Sequence, residues 1–334
     1  MRTTIRILVK TFRFELIAIA LACLALAGGE VLVHGQLEAA ALPVECQFSQ
    51  TFGPFGQQGV ATPAPPADPA VEAACELRVT AYNEVDQHAT ELLGFGTVLP
   101  VLAGILLGVA VVGRELESGT ASLAWTLSRS RRRWYLTRAV LLALILGGIL
   151  FVPGLAANFL EHARQPLVDP GSSFADGGER GPVFALRGLL TYALAVVAGA
   201  VLGRQLPAVI VTIALTLAVF IGFETGVVRW ERSLAVWQPS DNNGSVADLM
   251  FDQEFRDRTS GAIVDQNDVM NIAPQSTQGG PDFDWITAHY EYVSLVVPGS
   301  RYGFVVAGET AALGGATILL LGFGLLVVNR RRPD

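Results

Sequence analysis

Residues 92–112 read LLGFGTVLPVLAGILLGVAVV, an apolar stretch without a charged side chain. A helix needs about 20 such residues to cross the hydrocarbon core of a bilayer, which is about 30 Å thick. Because lipid offers no hydrogen bonds to the backbone, only helices and closed barrels can span it. The stretch therefore predicts a transmembrane helix.

Five further stretches have the same apolar character and similar length. They are residues 14–33, 134–156, 186–203, 207–228 and 304–328. Charged residues make up 16% of the chain, well below the roughly 25% of an ordinary soluble domain. The predicted fold class is therefore an all-α integral membrane protein with six transmembrane helices.

The segments between these stretches alternate in charge. The N-terminus, the segment 113–138, the turn at Arg204 and the tail 329–334 together carry 14 basic and four acidic residues. With the flanking Arg187, the other three loops carry nine basic and 23 acidic residues. Because basic residues accumulate on the cytoplasmic side, we expect both termini in the cytoplasm. The large extracytoplasmic loops are then 36–91, 157–185 and 229–303.

The N-terminal residues 1–13 have a helical pattern of their own. Apolar residues recur there at helical spacing: Ile5, Leu8, Val9 and Phe12. Together with the basic residues between them, they predict an interfacial amphipathic helix that leads into the first span; the alternative is a plain basic flank. The stretch 25–27 resembles a signal-peptidase site, but apolar residues continue to position 33 and favour a retained span.

Several classes of function are excluded or disfavoured by composition and motif. Lys10 is the single lysine, so the chain has no P-loop of the form G-x-x-x-x-G-K-[ST]. The four histidines are widely spaced and form no metal-ligand motif. The net charge of −7 argues against nucleic-acid binding. We expect no catalytic site, cofactor or metal in this chain.

Two of the predicted extracytoplasmic loops carry recognisable features. Cys46 and Cys75 lie in the same loop and can form a disulfide in an oxidising compartment; the alternative is two free thiols. Such a bridge would constrain the loop by about 3 kcal/mol. The loop 229–303 is long, acidic and aromatic, which indicates a small cap or else a flexible connector.

Three acidic residues lie near the outer ends of predicted spans. They are Glu30, Glu224 and Glu309. Acids in spans are functional candidates, so these three form a possible outer gate that attracts cations. The alternative is that they are solvated residues at helix ends, with Arg187 as a candidate partner for one of them.

The most informative segment follows the second span. Residues 113–134 read GRELESGTASLAWTLSRSRRRW. Leu116, Leu123 and Leu127 share one face at helical spacing, with acids at the start and arginines at the end, as suits the helix dipole. The pattern predicts a cytoplasmic helix over 113–133 that offers a partner an acidic and a basic end.

The order E-x-G-T, then W-T, then S-R-S-R-R-R-W before a span resembles the permeases of type-2 ATP-binding-cassette (ABC) exporters. The resemblance covers the whole chain in topology and residues 113–138 in motif. It implies an N-terminal elbow helix, six spans and a first cytoplasmic loop that couples to an ATPase. The large outer loops depart from the family pattern.

The resemblance also implies partners and contact residues. The helix in the first cytoplasmic loop would contact a separate nucleotide-binding subunit, which holds the ATP and Mg²⁺. A second permease copy or a related permease would complete the pathway, in a bacterial cytoplasmic membrane. The implied coupling residues are Glu115, Glu117, Gly119, Thr120, Arg131, Arg132, Arg133 and Trp134.

Two other functions remain open at this point. An ion-coupled secondary transporter would need acids at mid-membrane depth and usually an internal repeat, and neither is evident. A membrane sensor or scaffold that transports nothing is slightly favoured by the large acidic loops.

Overall fold

In the computed structural model six long helices form a bundle. The structure describes residues 8–43, 46, 69–120, 130–165, 168–175, 180–239, 247–275 and 280–330. Within these residues, six helices are long and apolar enough to cross a membrane. They are α1 (Arg13–Ala39), α2 (Pro69–Glu117), α3 (Arg131–Arg164), α4 (Gly181–Leu202), α5 (Gln205–Leu234) and α8 (Tyr302–Arg330).

Each predicted span lies inside one of these helices, but several helices are longer than their spans. Helix α2 has 49 residues, or about 74 Å at 1.5 Å per residue, far more than a bilayer core. Its first part, residues 69–91, was expected in an extracytoplasmic loop. This part is helical because it is rich in Ala and Glu, which favour helices.

The N-terminal amphipathic pattern continues into the bundle. Residues 8–11 are helical, and residues 1–7 of the predicted interfacial helix lie outside the described residues. Leu8 and Phe12 are buried in the main core, whereas Lys10 is exposed. One apolar face of this segment therefore packs on protein. Helix α1 continues from it and packs against α2 and α3.

Helix α4 lies at the centre of the bundle and contacts α2, α3, α5 and α8. Glycines allow α2 to approach it closely. A methyl group added at Gly104 would lie 2.5 Å from the carbonyl oxygen of Gly188, and one at Gly108 would lie 2.6 Å from that of Tyr192. Gly104 and Gly108, which are four residues apart, thus serve packing within the chain.

A tight turn joins α4 to α5. Gly203 ends α4 in the left-handed conformation, with φ +66°, which glycine adopts without a steric penalty. Gln205 then begins α5, so the two helices run antiparallel. Helix α5 is the least buried of the six. In its most apolar stretch of 18 residues, 17% of the residues are buried inside the chain, against 67% for α4.

The prediction of an all-α protein is wrong in the segment between α5 and α8, which forms a small antiparallel sheet. Its strands are β1 (Val236–Pro239), β2 (Leu249–Asp257), β3 (Ile263–Val264) and β4 (Tyr290–Val297), in the order β1-β4-β2-β3. The sheet forms because the sequence of β4, YEYVSLVV, is rich in the aromatic and β-branched residues that favour strands.

Two short helices, α6 (Gln266–Ile272) and α7 (Phe283–His289), complete this region. Phe255 of β2, Val269 of α6 and Ile286 of α7 form a buried cluster of their own. The segment therefore has a hydrophobic core separate from that of the bundle, as a small cap requires. Near the start of α2, a disulfide joins Cys75 of this helix to Cys46, with the Cα atoms 5.1 Å apart.

Candidate functional site

Four helices meet through polar contacts at one end of the bundle. The linked residues are Glu15 of α1, Arg114, Glu115 and Glu117 of α2, Arg138 of α3 and Gln205 of α5. We call this end the arginine-rich end, and the opposite end, where the sheet follows α5, the sheet end. The residues that sequence analysis proposed for coupling lie at the arginine-rich end.

Glu115 joins the end of α2 to the start of α3. Its carboxylate accepts a hydrogen bond from Arg138, and both side chains are about one-fifth exposed. The Arg138 guanidinium also lies over the Trp134 ring, 4.8 Å from its centroid, a cation–π arrangement. Trp134 itself is buried. Glu115, Arg138 and Trp134 thus form one packed unit.

Glu117 joins the end of α2 to the start of α5. Its Oε2 accepts hydrogen bonds from the backbone N–H of Gln205 at 3.1 Å and from the Gln205 side-chain amide at 3.0 Å. The N–H of Gln205 belongs to the first turn of α5, where backbone donors lack helical partners. A carboxylate there also interacts favourably with the helix dipole.

A third contact ties in α1. Arg114 donates to Glu15 Oε1 at 3.1 Å. The Glu15 side chain is 17% exposed and that of Arg114 is 51% exposed. The last turn of α2 is therefore connected to α1, α3 and α5 by separate polar contacts.

The structure divides the predicted coupling helix of residues 113–133 between two spans. Residues 113–117 are the end of α2, and 118–120 form a turn that Gly119 allows by adopting φ +69°. The hydroxyls of Ser118 and Thr120 lie 2.8 Å apart in this turn. Residues 131–133 are the first turn of α3, and the part of the prediction over 121–129 lies outside the described residues.

The basic end of the predicted contact surface begins at Ser130. Its side chain caps α3 by accepting a hydrogen bond from the backbone N–H of Arg133 at 3.2 Å, as N-cap serines do. Arg132 and Arg133 are exposed, and Arg131 is partly exposed. The acids of the motif are thus bound within the bundle, whereas the arginines present positive charge at its surface.

The three acids of the predicted outer gate lie in different surroundings. Glu30 is 1% exposed on α1, which packs against α2 and α3. Glu224 of α5 accepts a hydrogen bond from Arg187 of α4 at 2.7 Å, so the candidate partner of the sequence analysis binds this acid. Glu309 of α8 lines a small cavity at the sheet end.

Glu231 is an acid at the sheet end that sequence reasoning missed. It is 8% exposed and lines the same cavity as Glu309. The prediction ended the fifth span at residue 228, which placed Glu231 in a loop. The spacing of seven residues from Glu224 was the available signal, because it places both acids on one face of a continued helix.

The described parts of the chain contain no group of three or more His, Cys, Asp or Glu side chains that could hold a metal ion.

The six apolar helices and the matched family define a multi-pass membrane permease of the ABC-2 type. The family model described as "ABC-2 membrane transporter related" matches residues 16–229, which is more than half of the chain. The chain therefore belongs to the ABC-2 membrane transporter related family. The match covers α1 to α5 up to residue 229, and the sheet and α8 lie beyond it. Comparison with curated proteins found no match, and comparison with solved structures found none.

Proposed function

We propose that this chain is the membrane subunit of an ATP-driven exporter in a bacterial cytoplasmic membrane. A separate nucleotide-binding subunit binds ATP and Mg²⁺ and contacts the arginine-rich end. The observation that carries the proposal is the connection of the last turn of α2 to three other helices through Glu15, Glu115 and Glu117. The family membership supports the same conclusion.

The proposed coupling is mechanical. Residues 118–130 lie between the end of α2 and the cap of α3. A partner that moves this segment moves the last turn of α2, and Glu115 and Glu117 pass the displacement to Arg138 of α3 and to Gln205 of α5. Packed helices respond as rigid elements. ATP binding by the partner would therefore shift several spans together.

The charge distribution supports an orientation with the arginine-rich end in the cytoplasm. Arg132 and Arg133 are exposed there, and cytoplasmic segments are enriched in arginine and lysine. The same side holds the ATP that the partner needs. The sheet, the disulfide and the extension of α2 then lie outside the cell.

A second copy of the permease, or a related one, would complete the pathway. Low burial supports this part of the proposal. In the most apolar stretch of each helix, 17% of the residues of α5 and 22% of those of α8 are buried inside the chain. Those faces are available to lipid and to another permease.

The test reverses the charge of the exposed arginines. The double variant Arg132→Glu and Arg133→Glu is compared with Arg78→Glu, an exposed arginine on the extension of α2. We expect the double variant to lose at least tenfold in stimulation of the partner's ATPase activity and to co-purify poorly with it. Wild-type stimulation in the double variant, with normal insertion, would contradict the proposal. Unchanged transport without ATP would favour an ion-coupled transporter.

A further inference from the structure

A small cavity of about 90 Å³ lies at the sheet end, between α5, α8 and strand β2. Two acids and five apolar or aromatic residues line it: Glu231, Glu309, Phe174, Leu249, Tyr302, Val305 and Val306. Glu231 lies three residues past the apolar stretch 207–228 of α5. At 1.5 Å per residue, it is about 5 Å beyond the end of that stretch along the helix. The cavity therefore lies where the bundle meets the sheet.

The Glu231 side chain has no favourable partner among the described residues. The residue is 8% exposed, and among the described residues it makes no hydrogen bond or ion pair. Its electrostatic neighbours are Glu309 and Glu224, both of the same charge. A buried carboxylate that is neither paired nor hydrogen-bonded is strongly disfavoured. Such a carboxylate either takes up a proton or is paired with a cation from outside the chain.

The arginines near the cavity bind other groups rather than Glu231. Arg187 reaches Glu224 at 2.7 Å and lies near Glu309, so this arginine interacts with those two acids. Arg180 is buried over the Tyr302 ring, 5.3 Å from its centroid. Its guanidinium donates to the backbone oxygen of Ser173 at 2.6 Å. The acids around the cavity thus exceed the cations that face them.

The packing between α5 and α8 holds the two acids in place. Trp230, next to Glu231 in the chain, lies so close to Gly308, next to Glu309, that an added methyl group there would clash with the indole ring. The Trp230 ring also packs on Phe304, with centroids 5.9 Å apart. The cavity is therefore a built feature of the helix contact.

The lining selects among cations. Calcium takes six to eight oxygen ligands, more than two carboxylates provide, and the other walls are apolar. The rings of Phe174 and Tyr302 lie edge to face, 5.4 Å apart. Apolar and aromatic walls beside two carboxylates suit an organic ammonium group, which combines charge with apolar surface. We propose that this cavity binds a small organic ammonium ion, of the size of methylammonium, with Glu231 and Glu309 as its counter-charges.

The proposal concerns this chain alone and does not depend on the ATPase partner. The test measures thermal unfolding of the purified full chain in detergent with a thiol-reactive dye. Cys23 is 1% exposed, and the other two cysteines form the disulfide, so the dye reports unfolding through Cys23. Methylammonium chloride is titrated against sodium chloride at equal ionic strength. The variants are Glu231→Gln, Glu309→Gln and, as a control with the same charge change, the exposed Glu84→Gln.

We expect methylammonium to raise the unfolding temperature of the wild type with saturation, and sodium to give no saturable shift. Glu231→Gln should abolish the shift, Glu309→Gln should weaken the apparent affinity at least tenfold, and Glu84→Gln should retain it. If Glu231→Gln does not fold, Glu309→Gln decides. Equal shifts with sodium, no saturable shift in the wild type, or an unchanged shift in the glutamine variants that fold would overturn the proposal.

Discussion

At the scale of a single residue, a substitution of Glu117 should affect coupling to the ATPase but not the stability of the fold. Its carboxylate accepts two hydrogen bonds from Gln205 at an exposed position. Exposed polar pairs contribute about 1 kcal/mol or less to stability, so we expect Glu117→Ala to change the unfolding temperature little. The variant's stimulation of the partner's ATPase activity should fall severalfold, because the link between α2 and α5 is lost. Glu72→Ala, an exposed acid at the other end of α2, is the control for both measurements, and equal stimulation in the two variants would contradict this role.

A substitution of Gly104 tests the close packing of α2 against α4. A methyl group there would lie 2.5 Å from the carbonyl oxygen of Gly188, so α2 and α4 would have to separate. We expect Gly104→Ala to cost about 1–3 kcal/mol. Gly222 of α5 has nothing within 4 Å of an added methyl group, and Gly222→Ala should be neutral or slightly stabilising. Equilibrium unfolding in mixed micelles compares the two, and equal effects would refute the packing argument.

The roles of individual residues were only partly predictable from sequence. The pattern over 113–134 identified Glu115, Glu117 and the arginines as a group, because acids and bases at opposite ends of a segment are visible in order. It did not reveal that Arg138 and Gln205 bind the two acids. Gln205 lies 88 residues from Glu117, and only the three-dimensional packing brings them together.

At the scale of elements, the hairpin of β2 and β3 carries a pH dependence. The backbone N–H groups of Ser260 and Thr259 donate to the Asp257 carboxylate and lower its pKa. A lowered pKa in the folded state contributes stability above the unfolded value, about 3.9, and this contribution disappears as the pH falls through the folded value. Amide exchange in β3, corrected for intrinsic rates, should therefore speed up below about pH 4. In Asp257→Asn this added acceleration should be absent, and its persistence would assign the effect to other groups.

The helices were more predictable than the sheet. The local composition alone predicts a transmembrane span, because about 20 consecutive apolar residues suffice to identify it. The sheet depends on pairing between β2 and β4, which are separated by two short helices along the chain. The aromatic and β-branched run of β4 was the available signal, but the segment was predicted as a small cap or a flexible connector, without strands. The end of α5 was also missed, because this helix continues beyond its apolar stretch.

For the whole molecule, the remaining question is which end faces the cytoplasm. Cys23 is buried and the other two cysteines are bridged, so the wild type offers little background to a thiol reagent. Glu84 near the sheet end and Arg132 at the arginine-rich end are both exposed. We expect a membrane-impermeant maleimide to label Glu84→Cys in intact spheroplasts and Arg132→Cys only after permeabilisation. The opposite labelling would place the exposed arginines outside the cell, away from ATP, and would remove the proposed contact with the nucleotide-binding subunit together with the orientation.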